Sequence, residues 1–587
     1  MIQGRPQINA ANKAFCYFKH LTKCLLFKTL NAAFLYRLAI LVLLLSGTFL
    51  SKSQNPIVEE NLKPGNPSSE WDIDGAGDLS IQGFATDLSV NKGERVLFKI
   101  KTNAAAYSID IYRIGYYQGN GARKVGTGLI TAILPQSQPT EFRNNALGLV
   151  DCGNWSVSAY WDVPVDAVSG IYIARLRRSG ATTASHIVFI VRDDASNSDL
   201  LFQTSDATWQ AYNSYGNNSL YVGNTSYPDG HAVKVSYNRP FLTRSGGGGG
   251  GPYEDWLFNA EYPMIRWLER NGYNVTYTTN IDTDRRGHLI KNHKVFMSVG
   301  HDEYWSAQQR ANVEAARDAG VHLAFFSGNE VYWKTRWEPS IDGSNTSYRT
   351  LVCYKEGPLG ERGCGGKCDP LPNVWTGLWR GGCEFSADGC KPENALTGQI
   401  SWAEGNTSIT VPGKYRNFRF WRNTSIANLT TNQTATLSNG TLGYEWDYEQ
   451  NNGHYPAGRV TFSETTVDGK THKLSLYRHN SGALVFGAGT VQWSWGLDGV
   501  HDRGGSTPDP RIQQATVNLF ADMGVQPATL QTGLAAATEV TDRVAPSTVI
   551  TTPSNGATIT GGTSITISGT ATEAAGIVAG VEVSVDG

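Results

Sequence analysis

Three short stretches of this chain carry acids, an imidazole and phenols close enough in sequence to do chemistry together. His301, Asp302, Glu303 and Tyr304 stand in succession after the apolar run Val295–Val299 and Gly300. A polar cluster in that place is either a functional loop held by a rigid scaffold or an exposed turn. Thr204–Tyr221 (TSDATWQAYNSYGNNSLY) puts Trp209, Tyr212, Tyr215 and Tyr221 on a loop directly after another apolar run. Loop tyrosines are ordinarily half-buried packing residues, and on composition alone a ligand role is the minority reading. Gly443–Glu449 (GYEWDYE) interleaves Glu445, Asp447 and Glu449 with aromatics. Alternate residues of a strand share a face, so the three acids would line one side, as catalytic carboxylates or as an exposed polar face.

The elements that must position these clusters read as an α/β sheet. Val295–Val299 and His322–Phe326 are short apolar runs, and Ser306 with Gln309 has capping-box spacing for a helix running to about Ala319, before Gly320. Strand, loop, helix, strand is the unit of a parallel sheet, whose ligands sit outside the carboxyl ends of the strands. Leu200–Thr204, Tyr273–Thr278 and Ala483–Ala488 read as further strands. Asp255–Arg270, with Trp256, Leu257, Ile265 and Leu268 at helical spacing, and Arg511–Met523 read as helices. The α/β region spans 198–530, with a long irregular insertion near 335–440.

Before it, residues 79–193 alternate in short runs such as Arg95–Lys101, Tyr107–Ile114, Gly170–Arg177 and Ser185–Val191, the pattern of an all-β sandwich. Trp155 and Trp161 read there as core or edge aromatics rather than sugar platforms. Residues 55–78, polar and rich in Pro, Gly and Asn, read as a linker, as do the Ala- and Thr-rich residues 531–545. Residues 546–587 repeat short Ile/Val/Thr strands and resemble the first half of an Ig-like module; the sequence reads as that of a truncated gene product.

The chain has 587 residues, 17% of them charged, and a formal net charge of −2, so nothing argues for a nucleic-acid partner. Residues 1–37 hold basic residues and no acid, and Leu38–Leu50 is an apolar core of signal-peptide length. It is shorter than the ~20 residues that span a bilayer. Residues 1–54 therefore read as an export leader, and the mature protein as secreted or held at the cell surface without a membrane span; a membrane anchor is the competing reading. Five of the remaining cysteines, Cys353, Cys364, Cys368, Cys383 and Cys390, crowd one Gly-rich segment. In an exported chain that predicts disulfides, with one thiol free or paired to Cys152. A zinc site is the weaker alternative, since Cys364 and Cys368 have no paired CxxC and no neighbouring His.

The order of five motifs adds a family resemblance. WQAYN and SLY, then SVGHDEYW, then FFSGNEVYWKTR, then GYEWD, then GTVQWSWGLD together resemble the C-terminal domain in the large chain of N,N-dimethylformamidase and its relatives, over about 200–530. The resemblance implies a glutamine-amidotransferase-like α/β sheet, often preceded by a β-sandwich. It also implies a mononuclear ferric ion held by two tyrosines and a glutamate, which by motif are Tyr212, Tyr221 and Glu303. His301 matches a histidine beside that set, and Glu445 matches the glutamate implicated in catalysis. Phenolate and carboxylate are hard anionic ligands, and tyrosinate ligates iron elsewhere. The activity so implied is hydrolysis of a small-molecule amide C–N bond, with Glu445 taking a proton from water and His301 orienting the nucleophile or serving the leaving amine. The Tyr212–Tyr221 segment is far shorter than in the amidase, and no counterpart of the amidase's small chain is visible. Two other classes stay open: a non-catalytic surface, adhesion or carbohydrate-binding protein, and a carbohydrate-active hydrolase pairing Glu445 with Asp447 or Glu303.

Overall fold

The computed structural model describes residues 55–357, 368–381, 388–541, 544, 546–574, 576–581 and 583. All belong to one compact unit, Asn55–Gly587. The expected leader therefore lies outside the described residues, as do Cys364 and Cys383.

Two sheets make the sandwich. One is antiparallel, in the order Ile81–Ala85, Arg95–Thr102, Ala159–Asp162, Leu129–Ile130. The other runs Ser89–Asn91, Ser185–Arg192, Gly170–Arg178, Tyr107–Ile114, Ala122–Thr127, with its first pair parallel. Phe98, Ile100, Ile111, Trp161, Tyr172 and Phe189 fill the space between them. In Arg95–Thr102 every second residue is buried, the signature of a strand with one face on a core. Trp155 and Trp161 are both buried and offer no platform.

The sheet that carries the site has the order Val275–Thr278, Leu200–Gln203, Val295–Gly300, His322–Ser327, Leu484–Gly487, all parallel, then Ser475–Arg478 and Val460–Thr461 antiparallel. Every residue of Val295–Gly300 is buried, as expected where both faces are covered. The helix Ala307–Asp318 starts on a complete capping box, Ser306 and Gln309 bonding each other's backbone. Helices Leu257–Arg270 and Pro510–Asp522 follow the expected apolar faces. A smaller sheet draws its strands from ahead of the expected insertion and from within it, in the order Lys234–Ser236, Thr350–Val352, Trp333–Glu338, Tyr304–Ser306, with Gly377–Leu378 also paired to Trp333–Glu338. Among the described residues no helix is long and apolar enough to cross a membrane.

Residues 55–78 are not a linker. Asn55 caps a helix Pro56–Asn61 that has proline at its start, and Ile57 and Trp71 are buried. The segment's polar residues are bonded inside rather than hydrated: Asn61 donates to Glu269 at 2.8 Å, and Glu60 accepts from Tyr117 and Arg123 at 2.8 Å. The second expected linker also begins as packed chain, with Ala537 buried and Gln531 bonded to Asn271. Beyond it, Ser547–Thr552 pairs with Ser568–Thr572 in an exposed two-stranded ladder. Cys152 and Cys353 are buried free thiols, so Cys152 does not pair with the cluster; Cys368 and Cys390 are disulfide-bonded.

Candidate active site

Two neighbouring central strands deliver the first residues. After Leu200–Gln203 the chain turns into the helix Asp206–Ala211, whose C-cap residue is Tyr212. Glu261 fixes that turn, accepting from Ser205 N at 2.9 Å and from Trp209 Nε1 at 2.8 Å. Leu220 N then donates to Ala211 O at 2.9 Å, bringing Tyr221 back beside Tyr212 despite the short segment between them. The two rings stack at 4.1 Å.

After Val295–Gly300 come His301, Asp302 and Glu303. Asp302 is structural: Gln203, Asn280 and Ser298 donate to its carboxylate at 2.6, 2.9 and 2.8 Å. That anchor turns Glu303 toward the tyrosines. Tyr221 Oη donates to both oxygens of Glu303 at 2.9 Å, Tyr212 Oη to Oε2 at 3.3 Å, and Tyr304 Oη to Tyr221 Oη at 2.7 Å. His301 Nδ1 meets Asp255 Oδ1 at 2.9 Å and Tyr444 Oη at 2.8 Å, while Tyr444 also bonds Asp255. Its Nε2 faces Glu445 Oε2 at 3.1 Å and Glu303 Oε2 at 3.5 Å. Tyr212, Tyr221, Glu303, His301 and Glu445 thus come together at one place.

Charges follow from these contacts. Burial, then the charge of Glu303, pushes the Tyr212 and Tyr221 phenols well above their ordinary value. Burial also raises Glu303, against the pull of His301 and Lys355. Burial works against ionisation of Glu445, but His301 and the Asn329 amide outweigh it and hold that carboxyl below its usual range. For His301 burial is likewise outweighed, by Glu445, Glu303 and Asp255, and the imidazole sits well above its ordinary value.

Glu445 lies in a strand of only two residues, Glu445–Trp446, so the expected three-acid strand face does not form. Asn329 Nδ2 donates to Glu445 Oε2 at 2.8 Å and Asn329 N to Asp447 Oδ1 at 3.1 Å. Asp447 is buried beside Glu330, burial pushes it up to about 8, and it does not line the cavity. Glu449 pairs with Arg459 at 2.6 Å. A glycosidase pairing of Glu445 with Asp447 therefore has no shared space to work in. Asn329 and Val331 both hold positive φ, 48° and 54°, a conformation costing about 1–3 kcal/mol in non-glycine residues; it aims Asn329 between the two acids.

The donor atoms suit a hard trivalent cation. Two phenol oxygens and a carboxylate converge, each able to carry negative charge, with no sulfur among them. Without the phenols, no three His, Cys, Asp or Glu side chains among the described residues form a metal site. His301 Nε2 is buried and faces the same carboxylates, nearest to Glu445 Oε2. The site opens on a cavity of about 540 Å³ lined also by Asn329, Tyr332, Trp333, Lys355, Leu378 and Trp402.

Several of these residues escaped the motif reading. Asp255 lies just ahead of the helix Leu257–Arg270, inside the range read as helical. Tyr444 passed as a spacer aromatic, and Lys355, whose Nζ sits 3.1 Å over the Tyr221 ring, lies in the irregular insertion. The run Gly246–Gly251 packs on the tyrosines: a Cβ at Gly248 would meet Tyr212 O at 1.7 Å, and one at Gly249 would meet Tyr221 Cβ at 2.3 Å. That run was the available signal for a close backbone approach.

A family model described as N,N-dimethylformamidase beta subunit-like, C-terminal matches residues 108–507, and one for a bacterial Ig domain matches residues 546–587. The first begins inside the sandwich strand Tyr107–Ile114, so it takes in more of the N-terminal side than the motifs alone suggested. The N,N-dimethylformamidase beta subunit of Alcaligenes sp is 28% identical over 130 residues, 21% of this chain and 17% of that relative's length. A family 123 glycoside hydrolase from Clostridium perfringens covers 46% of this chain and 48% of its own, at 9% identity and a TM-score of 0.10, too low to bear on fold or activity. With a family match over most of its length and the motif residues gathered at one site, this chain belongs to the N,N-dimethylformamidase beta subunit-like, C-terminal family.

Proposed function

We propose that the protein is an exported, metal-dependent amide hydrolase that breaks a C–N bond of a small-molecule amide. The observation that carries this reading is the convergence of Tyr212 and Tyr221 on the Glu303 carboxylate, with His301 Nε2 and Glu445 beside them. Tyr212, Tyr221 and Glu303 would hold a ferric ion. When bound, the ion supplies a Lewis acid for an amide carbonyl and for water.

The chain's own residues divide the remaining work. Glu445 accepts a proton from the water whose oxygen attacks the carbonyl carbon. Asn329, bonded to Glu445 at 2.8 Å, keeps that carboxylate in one orientation. His301 delivers a proton to the departing amine, so that the C–N bond breaks to a neutral amine and a carboxylic acid. Asp255 and Tyr444 occupy its Nδ1, which leaves Nε2 as the atom that faces the reaction. Tyr332, Trp333 and Leu378 supply apolar surface to the cavity wall.

The parallel sheet with its site at the carboxyl ends fits a glutamine-amidotransferase-like arrangement, and export fits the basic leader ahead of an Ig-type module. Purified protein is expected to contain one iron per chain, to be coloured by phenolate-to-iron charge transfer, and to release amine from members of an amide panel. Protein that folds, takes up no iron and hydrolyses none of the panel in iron-supplemented buffer would reject the assignment. N-terminal sequencing of secreted material that still found residues 1–37 would reject export.

A further inference from the structure

We infer that the cavity takes an amide whose far end carries a positive charge, an ammonium group seated between the Trp402 ring and the Glu404 carboxylate. This rests on the amide-hydrolase reading and adds the class of substrate. The strand Ala403–Glu404 pairs antiparallel with Glu445–Trp446, and Glu404 stands directly opposite Glu445. Residues opposite each other in such a ladder project to the same face, and like charges there destabilise the pair. Glu445 faces the site, so Glu404 shares its face, and both line the cavity.

The two carboxylates differ in what answers their charge. Glu445 has His301 and Asn329. Glu404 is exposed and its carboxylate, among the described residues, makes no hydrogen bond or ion pair. Two neighbouring cations are already committed elsewhere: Lys355 Nζ sits over the Tyr221 ring at 3.1 Å, and Arg380, whose guanidinium lies 5.1 Å from the Tyr332 ring, is bonded to Glu393 at 2.5 Å.

Trp402, two residues before Glu404, keeps 38% of its surface exposed and lines the same cavity. Its Nε1 donates to Tyr332 Oη at 3.3 Å, which holds the indole in place. An exposed indole beside an unanswered carboxylate attracts a cation twice, through its π face and through the acid's charge. A volume of about 540 Å³ leaves room for such a group beyond the reacting amide.

Calorimetric titration tests this without turnover, using 2-phenylethylammonium and its neutral counterpart 2-phenylethanol on the full iron-supplemented protein. The wild type is expected to bind the ammonium about tenfold tighter or more, and added salt should erode the difference. Glu404→Gln should abolish the preference while leaving iron content unchanged, and Trp402→Leu should weaken the ammonium. Both side chains are exposed, and circular dichroism checks that the variants fold. Equal binding of the two probes, no binding of the ammonium, or a preference that survives Glu404→Gln overturns the inference. Ammonium selectivity in a protein that hydrolyses no amide would uphold the cation site and defeat the amidase reading; hydrolysis without selectivity would do the reverse.

Discussion

Replacing Tyr212 by Phe separates a ligand role from a packing role, because the ring and the hydroxyl do different things in this structure. The ring stacks on Tyr221 at 4.1 Å and lies 5.9 Å from the His301 ring, contacts that Phe retains. Among the described residues the hydroxyl makes one hydrogen bond, to Glu303 Oε2 at 3.3 Å. Glu303 keeps both bonds from Tyr221 and the one its backbone N–H donates to Thr208 Oγ1 at 3.0 Å. Losing one long hydrogen bond costs about 0.5–1.5 kcal/mol, and no buried partner is stranded. For a chain of this size that is a fall in Tm of a few degrees at most. A lost ligand acts on a different scale, since removing even an outer partner of a metal ligand costs about 10–100-fold in affinity. Tyr212→Phe should therefore fold, melt close to the wild type, and lose most of its iron, its visible absorption and its amide hydrolysis. Elemental analysis, absorption spectra and thermal unfolding of the same preparation read all three. Full iron content in the variant would refute the ligand role, and destabilisation well above about 3 kcal/mol, twice what one such bond supplies, would show that the hydroxyl holds the fold.

Glu445→Gln should retain iron and lose hydrolysis by about 10²–10⁴-fold, measured as kcat beside iron content, because it removes a base outside the proposed ligand set. Asp282 gives a pH prediction. Burial raises its carboxyl, but Arg192 and Arg285 outweigh this and bring it down to about 2. A depressed carboxyl stabilises fully above its unfolded value of about 3.9 and loses that contribution as pH falls through its folded value, so about 2–3 kcal/mol should disappear progressively between about pH 5 and 1. Urea titrations should show the wild type losing this much more than Asp282→Asn across that interval; parallel curves would count against it. Glu269→Ala strands Arg113, which bonds Glu269 at 2.7 and 2.9 Å with both side chains almost wholly buried, and should cost about 3–5 kcal/mol in denaturant unfolding. Arg113→Met with Glu269→Met should recover much of that loss.

What the sequence made legible was whatever repeats with a period or closes a local bond. The apolar runs that became Leu200–Gln203, Val295–Gly300 and His322–Ser327 are buried almost throughout, and the Ser306–Gln309 box is a bond across three positions. The motif tyrosines, His301, Glu303 and Glu445 were identifiable from wording, and the structure gathers them. The rest depended on contacts distant in sequence. Asp255 meets His301 across 46 positions and reads locally as the start of a helix. Gly246–Gly251 speaks through missing side chains, and its meaning appears only once Tyr212 and Tyr221 press on it. Residues 55–78 look like a linker because polar residues usually face water, whereas Glu60 and Asn61 use their polarity in buried bonds.

The helix Leu257–Arg270 ties the sandwich to the α/β sheet and to the site. Its fourteen residues span about 21 Å, and three acids on or beside it act at successive levels. Glu269, near its end, accepts from Arg113 of the sandwich, from Asn61 of the N-terminal segment and from Tyr277 of the main sheet. Glu261, in its middle, pins the turn into Asp206–Ala211 and so sets where Tyr212 stands. Asp255, just before its start, fixes His301. A shift of this helix would move the imidazole and the tyrosine together. The sandwich clamps the far end of the one rod on which both depend, which makes it part of the site's framework although none of its residues enters the cavity.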